Sequence, residues 1–479
     1  MRVKTIFSLA VLFSVVGSVF AIRAFACGTP CERNACLVVS DDAAIREKAI
    51  TALRQAGPEG LQALVDTFQD VIDQHALISQ VNAIVLVPAA TDIKALVEAK
   101  QAAELAATKW SRIQVALDAV GGQKDNHIAK LFWYTDLEQA KEAAKKSGKP
   151  ILSLRLLGKL TDELSCANSR FFRTILYPHA EINKELQDNY ILHWETFRNV
   201  PIVTIDFGDG RKMVRTLTGN SIHYILNAEG RPIEAIPGLY GPTAFLQQLQ
   251  AAKTLHARLQ TACRISPETQ LQQYHAAQQQ KVLENWVNDL HKINKSVAAG
   301  HDQTALAHVA AYTKYVSTKK PASDVTPDKT VLTAAELQAA TTEDLWQQLA
   351  FIHAADAQLD AAGVAAVQAK NPPNAMAAGR LAISKSFVET PWMKMVRNLQ
   401  NATALDTVKN EYTFHRQIHE WFANGQAPAD LHQLNEKVYA QLFLMPSNDP
   451  WLGLSTPDQF SGITNGGLIE NQSAVAKSK

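Results

Sequence analysis

The chain has 479 residues, a length that implies two to four domains rather than one core. Lys plus Arg number 47 against 46 Asp plus Glu, for a formal charge of +1, and no long run of either sign occurs. That balance excludes the electrostatic footprint of a nucleic-acid binder or of a protein held on an anionic membrane surface.

At the N-terminus, Arg2 and Lys4 precede an apolar run from Thr5 to Ile22, and "RAFAC" follows with Ala24 and Ala26 in an A-x-A arrangement. The order is that of a secretory signal peptide over 1–26, cleaved after Ala21 or Ala26, with an N-terminal membrane anchor as the alternative. Export, periplasmic or fully secreted, places the cysteines in an oxidising setting. Cys27, Cys31, Cys36 and Cys263 are the disulfide candidates. The total of five leaves at least one thiol free or paired with another molecule. The x3 and x4 spacings in "CGTPCERNAC" are not those of a metal site.

Residues 27–128 read as a helical block. Ile45, Ala49 and Leu53, then Leu61, Leu64, Val65 and Phe68, recur at helical steps, and "AGPEG" at 56–60 divides them into a hairpin of HEAT type. A further helix is expected over 92–120. Residues 129–255 mix strands and helices: a helix at 136–148, a strand at 149–157, helices from Cys166 to Tyr177 and at 179–189, and a strand at 190–194. A hairpin turning at Gly208-Asp209-Gly210, a second turning at 227–230 and a helix from Pro242 complete the block. Residues 256–445 read as a second helical block, with a polar loop at 317–329 and a Gln-rich tract at 270–280 expected to be a solvated helix face. Residues 446–479 read as a tail. The fold class is therefore multidomain and mainly α, with one α/β domain whose mixed sheet is flanked by helices.

The stretch "LEQAKEAAKKSGKPILSL", a cysteine opening a helix in "LSCANSRFF", and "EINKELQDNYILHWE" together resemble the thioredoxin-like superfamily, over about residues 130–252. The resemblance implies a thioredoxin fold with Cys166 as the first cysteine of a C-x-x-C pair. Three departures stand out: Ser169 replaces the resolving cysteine, "GKLTDEL" lengthens the approach to the site, and Asn220 or Ser221 occupies the place of the proline before the third strand.

A cysteine in the first turn of a helix faces unpaired N–H groups that favour thiolate, and Arg170 adds in the same direction. Two functions stand open. One is monothiol exchange or thiol capture, with Cys166 as nucleophile, Ser169 as its hydrogen-bond donor, and Arg170 and Asn168 in support, acting on a protein partner or a small thiol through a mixed disulfide. The other is a non-catalytic interaction scaffold with a degenerate thioredoxin fold. Glu411, His415 and His419 lie at i, i+4 and i+8 on one helical face, but beside Phe414, Ile418 and Trp421 they read as a polar seam, so no metal is assigned. No phosphate-binding loop occurs; neither a cofactor nor nucleic acid is expected.

Overall fold

The computed structural model describes residues 28–81, 93–261, 264–297, 343–370 and 385–452, with 454, 462 and 463. The segment read as a signal peptide, Cys27, Cys263, the 317–329 loop and most of the tail lie outside the described residues. The protein is mainly helical with one mixed five-stranded sheet. It divides into two compact units, 1–427 and 428–479. Among the described residues no helix is long and apolar enough to cross a membrane.

The first helices are α1 (Pro30–Leu37), α2 (Ala43–Gln55), α3 (Pro58–Val81) and α4 (Ile93–Gly121). Thr29 and Glu32 form a reciprocal capping box that starts α1, and Asp42 caps α2. Gly57, at φ +73°, turns the chain between α2 and α3, and Pro58 opens α3, as the "AGPEG" break implies. The helical spacing pays out as a shared core of Leu53, Leu64, Phe68, Ile113 and Leu117. Arg54 ties this core to the next block, donating to the carbonyls of Val120 (2.8 Å) and Trp133 (2.6 Å).

A short turn, α5 (Asn126–Ala129), precedes β1 (Trp133–Tyr134). Then come α6 (Leu137–Ser147), β2 (Ile151–Leu157), α7 (Ala167–Phe171) with a π-helical continuation over Phe172–Leu176, α8 (Ala180–Asn189) and β3 (Ile191–Arg198). β4 (Ile202–Asp206) and β5 (Lys212–Thr216) form a two-stranded sheet of their own. β6 (Ser221–Leu226), β7 (Pro232–Pro237) and α9 (Pro242–Gln260) complete the block. The main sheet has the order β1-β3-β2-β6-β7. β1 and β2 run parallel to β3, β6 runs antiparallel to β2, and β7 antiparallel to β6. β2 lies at its centre, buried at every residue, which is why its sequence is a continuous apolar run rather than an alternation. Its one charge, Arg155, pairs with Glu195 on the neighbouring strand.

The later helices of the first unit are α10 (Pro267–Val297), α11 (Glu343–Ile352), α12 (Ala361–Lys370), α13 (Lys385–Lys409), a π-helical turn over Asn410–His415 and α14 (Arg416–Ala423). Trp286, Leu290, Trp346, Leu349, Val408 and Tyr412 form their core. The sheet block packs against these helices at backbone distance. A Cβ on Gly241 would lie 2.4 Å from the Asp356 carbonyl oxygen, so only glycine fits there, and its N–H donates to Thr407 Oγ1 at 2.8 Å. In the second unit, α15 (Leu431–Gln441) is capped by Asp430 and buries Leu434, Val438 and Tyr439.

Candidate functional site

Cys166 sits where the chain leaves β2 and caps α7. Its N–H donates to the Leu157 carbonyl (3.2 Å), and its carbonyl accepts from the Arg170 N–H (3.2 Å) and the Ser169 hydroxyl (2.8 Å). The position at a helix start is the one the sequence implies, but the environment is dry. The side chain is 0% exposed, and burial pushes the thiol up, against the pull of the Ser169 hydroxyl and N–H, the Leu157 backbone and Arg170. Desolvation thus reverses the direction expected from the helix end alone.

The other residues of the motif also tie it to its surroundings. Asn168 Nδ2 donates to Ser221 Oγ (3.2 Å), bringing the motif against the start of β6. The Ser169 hydroxyl also shares a hydrogen bond with Ser165 Oγ (2.7 Å). Arg170 donates to the Ser165 carbonyl and to Thr216 Oγ1 (2.9 Å), which joins the motif to the β4–β5 hairpin. Tyr177 is buried in the same core, and its hydroxyl meets His223 Nε2 at 2.8 Å.

What holds the approach to Cys166 is a residue that sequence reasoning passed over. Arg173 is 1% exposed and donates to the carbonyls of Asp162 (2.7 Å) and Glu163 (3.1 Å) and to Ser165 Oγ (2.8 Å). Its Nε reaches Asp125 Oδ2 at 3.3 Å, and Lys370 Nζ bonds the same carboxylate at 2.9 and 3.0 Å. Burial opposes the charge on Asp125, but Lys370 and Arg173 outweigh it and hold the carboxyl below its usual range. The signal for this staple in the sequence is an arginine in an apolar helical text, "RFFRTIL", because a guanidinium buried there needs partners.

Of the disulfide candidates, Cys31 is partly buried, Cys36 is exposed, and both are free thiols. They lie five residues apart on α1, hence about 140° apart around its axis, so no bond joins them while the helix stands. Their remaining candidate partners, Cys27 and Cys263, lie outside the described residues.

A second site lies where β7 meets α10 and α14. Glu234, His415 and His419 are all buried, and their ligand atoms lie within 4.8 Å of one another. His415 Nε2 is 3.4 Å and His419 Nδ1 3.9 Å from Glu234 Oε1. His275 Nδ1 lies 2.8 Å from His419 Nδ1, while its Nε2 donates to the Ile233 carbonyl (2.9 Å). Glu411 belongs to the surrounding layer: its Oε2 accepts from His415 Nδ1 (2.9 Å), Tyr240 and Gln248 (3.2 Å each). Burial opposes charge on Glu234, but the imidazoles of His275, His419 and His415 outweigh it and hold the carboxyl low. Burial likewise opposes charge on His415, and Glu411 and Glu234 overcome it, pushing the imidazole up to about 10. Burial, as the largest cause, pushes His419 and His275 below the ordinary imidazole range. The helical stripe of Glu411, His415 and His419 is a polar seam whose two histidines are buried, and Glu234 and His275 are members that periodicity on one helix does not reveal.

The folded chain thus defines a class no finer than a mainly helical, multidomain protein with one mixed α/β sheet. No family model, no curated protein and no solved structure matches it.

Proposed function

We propose that the protein is an exported interaction scaffold built on a thioredoxin-like domain whose C-x-x-S segment is no longer a redox couple. The thioredoxin-like reading is supported by the sheet order β1-β3-β2-β6-β7. It is supported equally by Cys166 heading the helix that leaves β2 and by Ser221 opening β6. In that superfamily the first of these positions carries the first cysteine, and Asn220 or Ser221 stands in the place of the proline. Export rests on Arg2, Lys4 and the apolar run after them.

The observation that carries the scaffold reading is the complete burial of Cys166 with its thiol pushed up, since only an accessible thiolate is a useful nucleophile. The β4–β5 hairpin points the same way. Ile202, Ile205, Phe207, Met213, Val214 and Leu217 are each more than a third exposed, and among the described residues no further strand pairs with either edge. A two-stranded sheet is marginal by itself and its edges template a further strand, so the occupant is an extended segment of a partner protein adding to the hairpin.

Alkylation of the native protein at neutral pH, mapped peptide by peptide, tests the reading. Cys36 should react readily and Cys166 only after denaturation. If Cys166 instead reacts faster than Cys36, the scaffold reading falls and monothiol capture takes its place. One feature favours that second reading: the Ser169 hydroxyl and N–H both act to lower the Cys166 thiol. In that chemistry the thiolate attacks a partner disulfide and releases one partner thiolate, and an external thiol must clear the product, because Ser169 supplies no second sulfur.

A further inference from the structure

The buried Glu234–His415–His419 cluster is not used by the scaffold reading, and it is the most concentrated set of metal-binding donors among the described residues. We propose that Glu234, His415 and His419 bind a divalent first-row transition ion, zinc by donor set, and that the ion clamps the last strand of the sheet to the C-terminal helices.

Four observations carry this. The donors are two imidazole nitrogens and a carboxylate oxygen, a set that suits zinc and its neighbours rather than calcium or magnesium. Their separations of 3.4 and 3.9 Å are close to the ~3.3 Å between ligand atoms in a tetrahedral shell with bonds of about 2.0 Å, so small side-chain shifts close the site.

The surrounding groups prepare the ligands. Because a carboxylate only accepts, His415 Nδ1 carries the hydrogen in its bond to Glu411, and that leaves Nε2 as the atom directed at Glu234. A metal-binding histidine held through its other nitrogen by a carboxylate is the arrangement that fixes ring orientation and raises ligand basicity. His275 backs the site without joining it: its Nε2–H is spent on the Ile233 carbonyl, so its Nδ1 presents a lone pair to His419, and the hydrogen between the two leaves His419 Nδ1 when that atom takes the ion.

The third observation is an under-satisfied oxygen. Glu234 Oε2 is buried and makes no hydrogen bond of ordinary geometry, although the Tyr274 hydroxyl faces the same carboxylate, and a buried polar atom so placed is one that an ion or water satisfies in folded proteins. The fourth is the π-helical turn Asn410–His415, which carries both Glu411 and His415. Such turns are uncommon and occur often at functional sites. All three ligands are buried, so the centre has no face open to substrate and its role is structural. The ion enters as the chain folds.

The test uses the full exported chain, stripped with a chelator and titrated with zinc, then with cobalt. One equivalent of zinc should bind per chain and raise the melting temperature, and cobalt should give the intense visible bands of a tetrahedral site. Glu234→Gln, which keeps volume, should weaken zinc binding at least 100-fold, and Glu411→Gln about 10- to 100-fold, as loss of an orienting carboxylate does elsewhere. The wild-type cobalt spectrum keeps the test valid even if a variant fails to fold. If the stripped chain binds no zinc at micromolar concentration, or binds it equally well after Glu234→Gln, the proposal fails and a proton on His415 is what bridges Glu234 and Glu411. The alkylation result at Cys166 is independent of either outcome.

Discussion

Arg173 Nε lies 3.3 Å from Asp125 Oδ2, both side chains buried, and the same guanidinium holds the chain from Asp162 to Ser165. Removing one member of a buried pair leaves the other uncompensated, although Lys370 retains part of the hold on Asp125. Arg173→Met should therefore destabilise the protein by about 2–4 kcal/mol, read from denaturant unfolding. It should also speed native alkylation of Cys166 by tenfold or more. Unchanged alkylation would mean that the arginine does not keep the Cys166 approach closed.

The pair His353–Asp289 gives the stability a pH dependence. His353 Nε2 lies 2.5 Å from Asp289 Oδ2, and Nδ1 lies 3.1 Å from Asp356. The hydrogen bonds to Asp289 and Asp356 raise His353 to about 9 from 6.5. Burial opposes the Asp289 charge, but His353, Lys292 and Tyr412 bring it to about 2 from 3.8. The histidine's contribution is complete below pH 6.5 and is lost as pH rises through 9. The aspartate's is complete above 3.8 and is lost as pH falls through 2. His353→Gln should cost about 2 kcal/mol near pH 5–6 and progressively less toward pH 10. A cost that does not vary across this range would show that no charge is shared between the two.

Local rules made much of this legible. The steps from Ile45 to Leu53 and the "AGPEG" break gave α2 and α3, the apolar run 149–157 gave β2, and Gly208-Asp209-Gly210 turned the hairpin. β1 escaped because two residues have no period. The Gln-rich tract at 270–280 is exposed at several positions, but His275 faces inward and is fully buried. Glu234 alternates with Ile233 and Ala235 as an outward residue of an edge strand would. Only the docking of α10 and α14 encloses it. Such contacts join positions 42 residues apart, as Ile233 and His275 are, or 181 apart, as Glu234 and His415 are, and leave no local pattern.

The exposed apolar hairpin should be separable from stability. Phe207 and Leu217 are each more than half exposed, so Phe207→Ser with Leu217→Ser removes little buried area and should shift unfolding by less than about 0.5 kcal/mol. The double variant should nonetheless bind an apolar fluorescent dye more weakly and self-associate less. Loss of cooperative unfolding would show instead that these side chains pack against the body.

Ser169→Cys asks whether the C-x-x-S segment keeps the geometry of a couple. Cys166 is the cap of α7 and Ser169 its third residue, with the Ser169 hydroxyl 2.8 Å from the Cys166 carbonyl, so a thiol at 169 sits one turn from the sulfur at 166. The change forfeits the Ser165 hydrogen bond, a cost of about 1 kcal/mol. After mild oxidation the variant should close an internal disulfide, detected as loss of two alkylatable thiols. Its potential should fall in the range of thioredoxin-like proteins, roughly −120 to −270 mV. Burial raises the thiol at 166 and works against thiolate, which slows closure but does not change the endpoint. In the wild type Cys166 should stay reduced through the same treatment. If both thiols of the variant remain separately alkylatable after oxidation and denaturation, the segment lacks a couple's geometry and the thioredoxin-like reading loses its main chemical support.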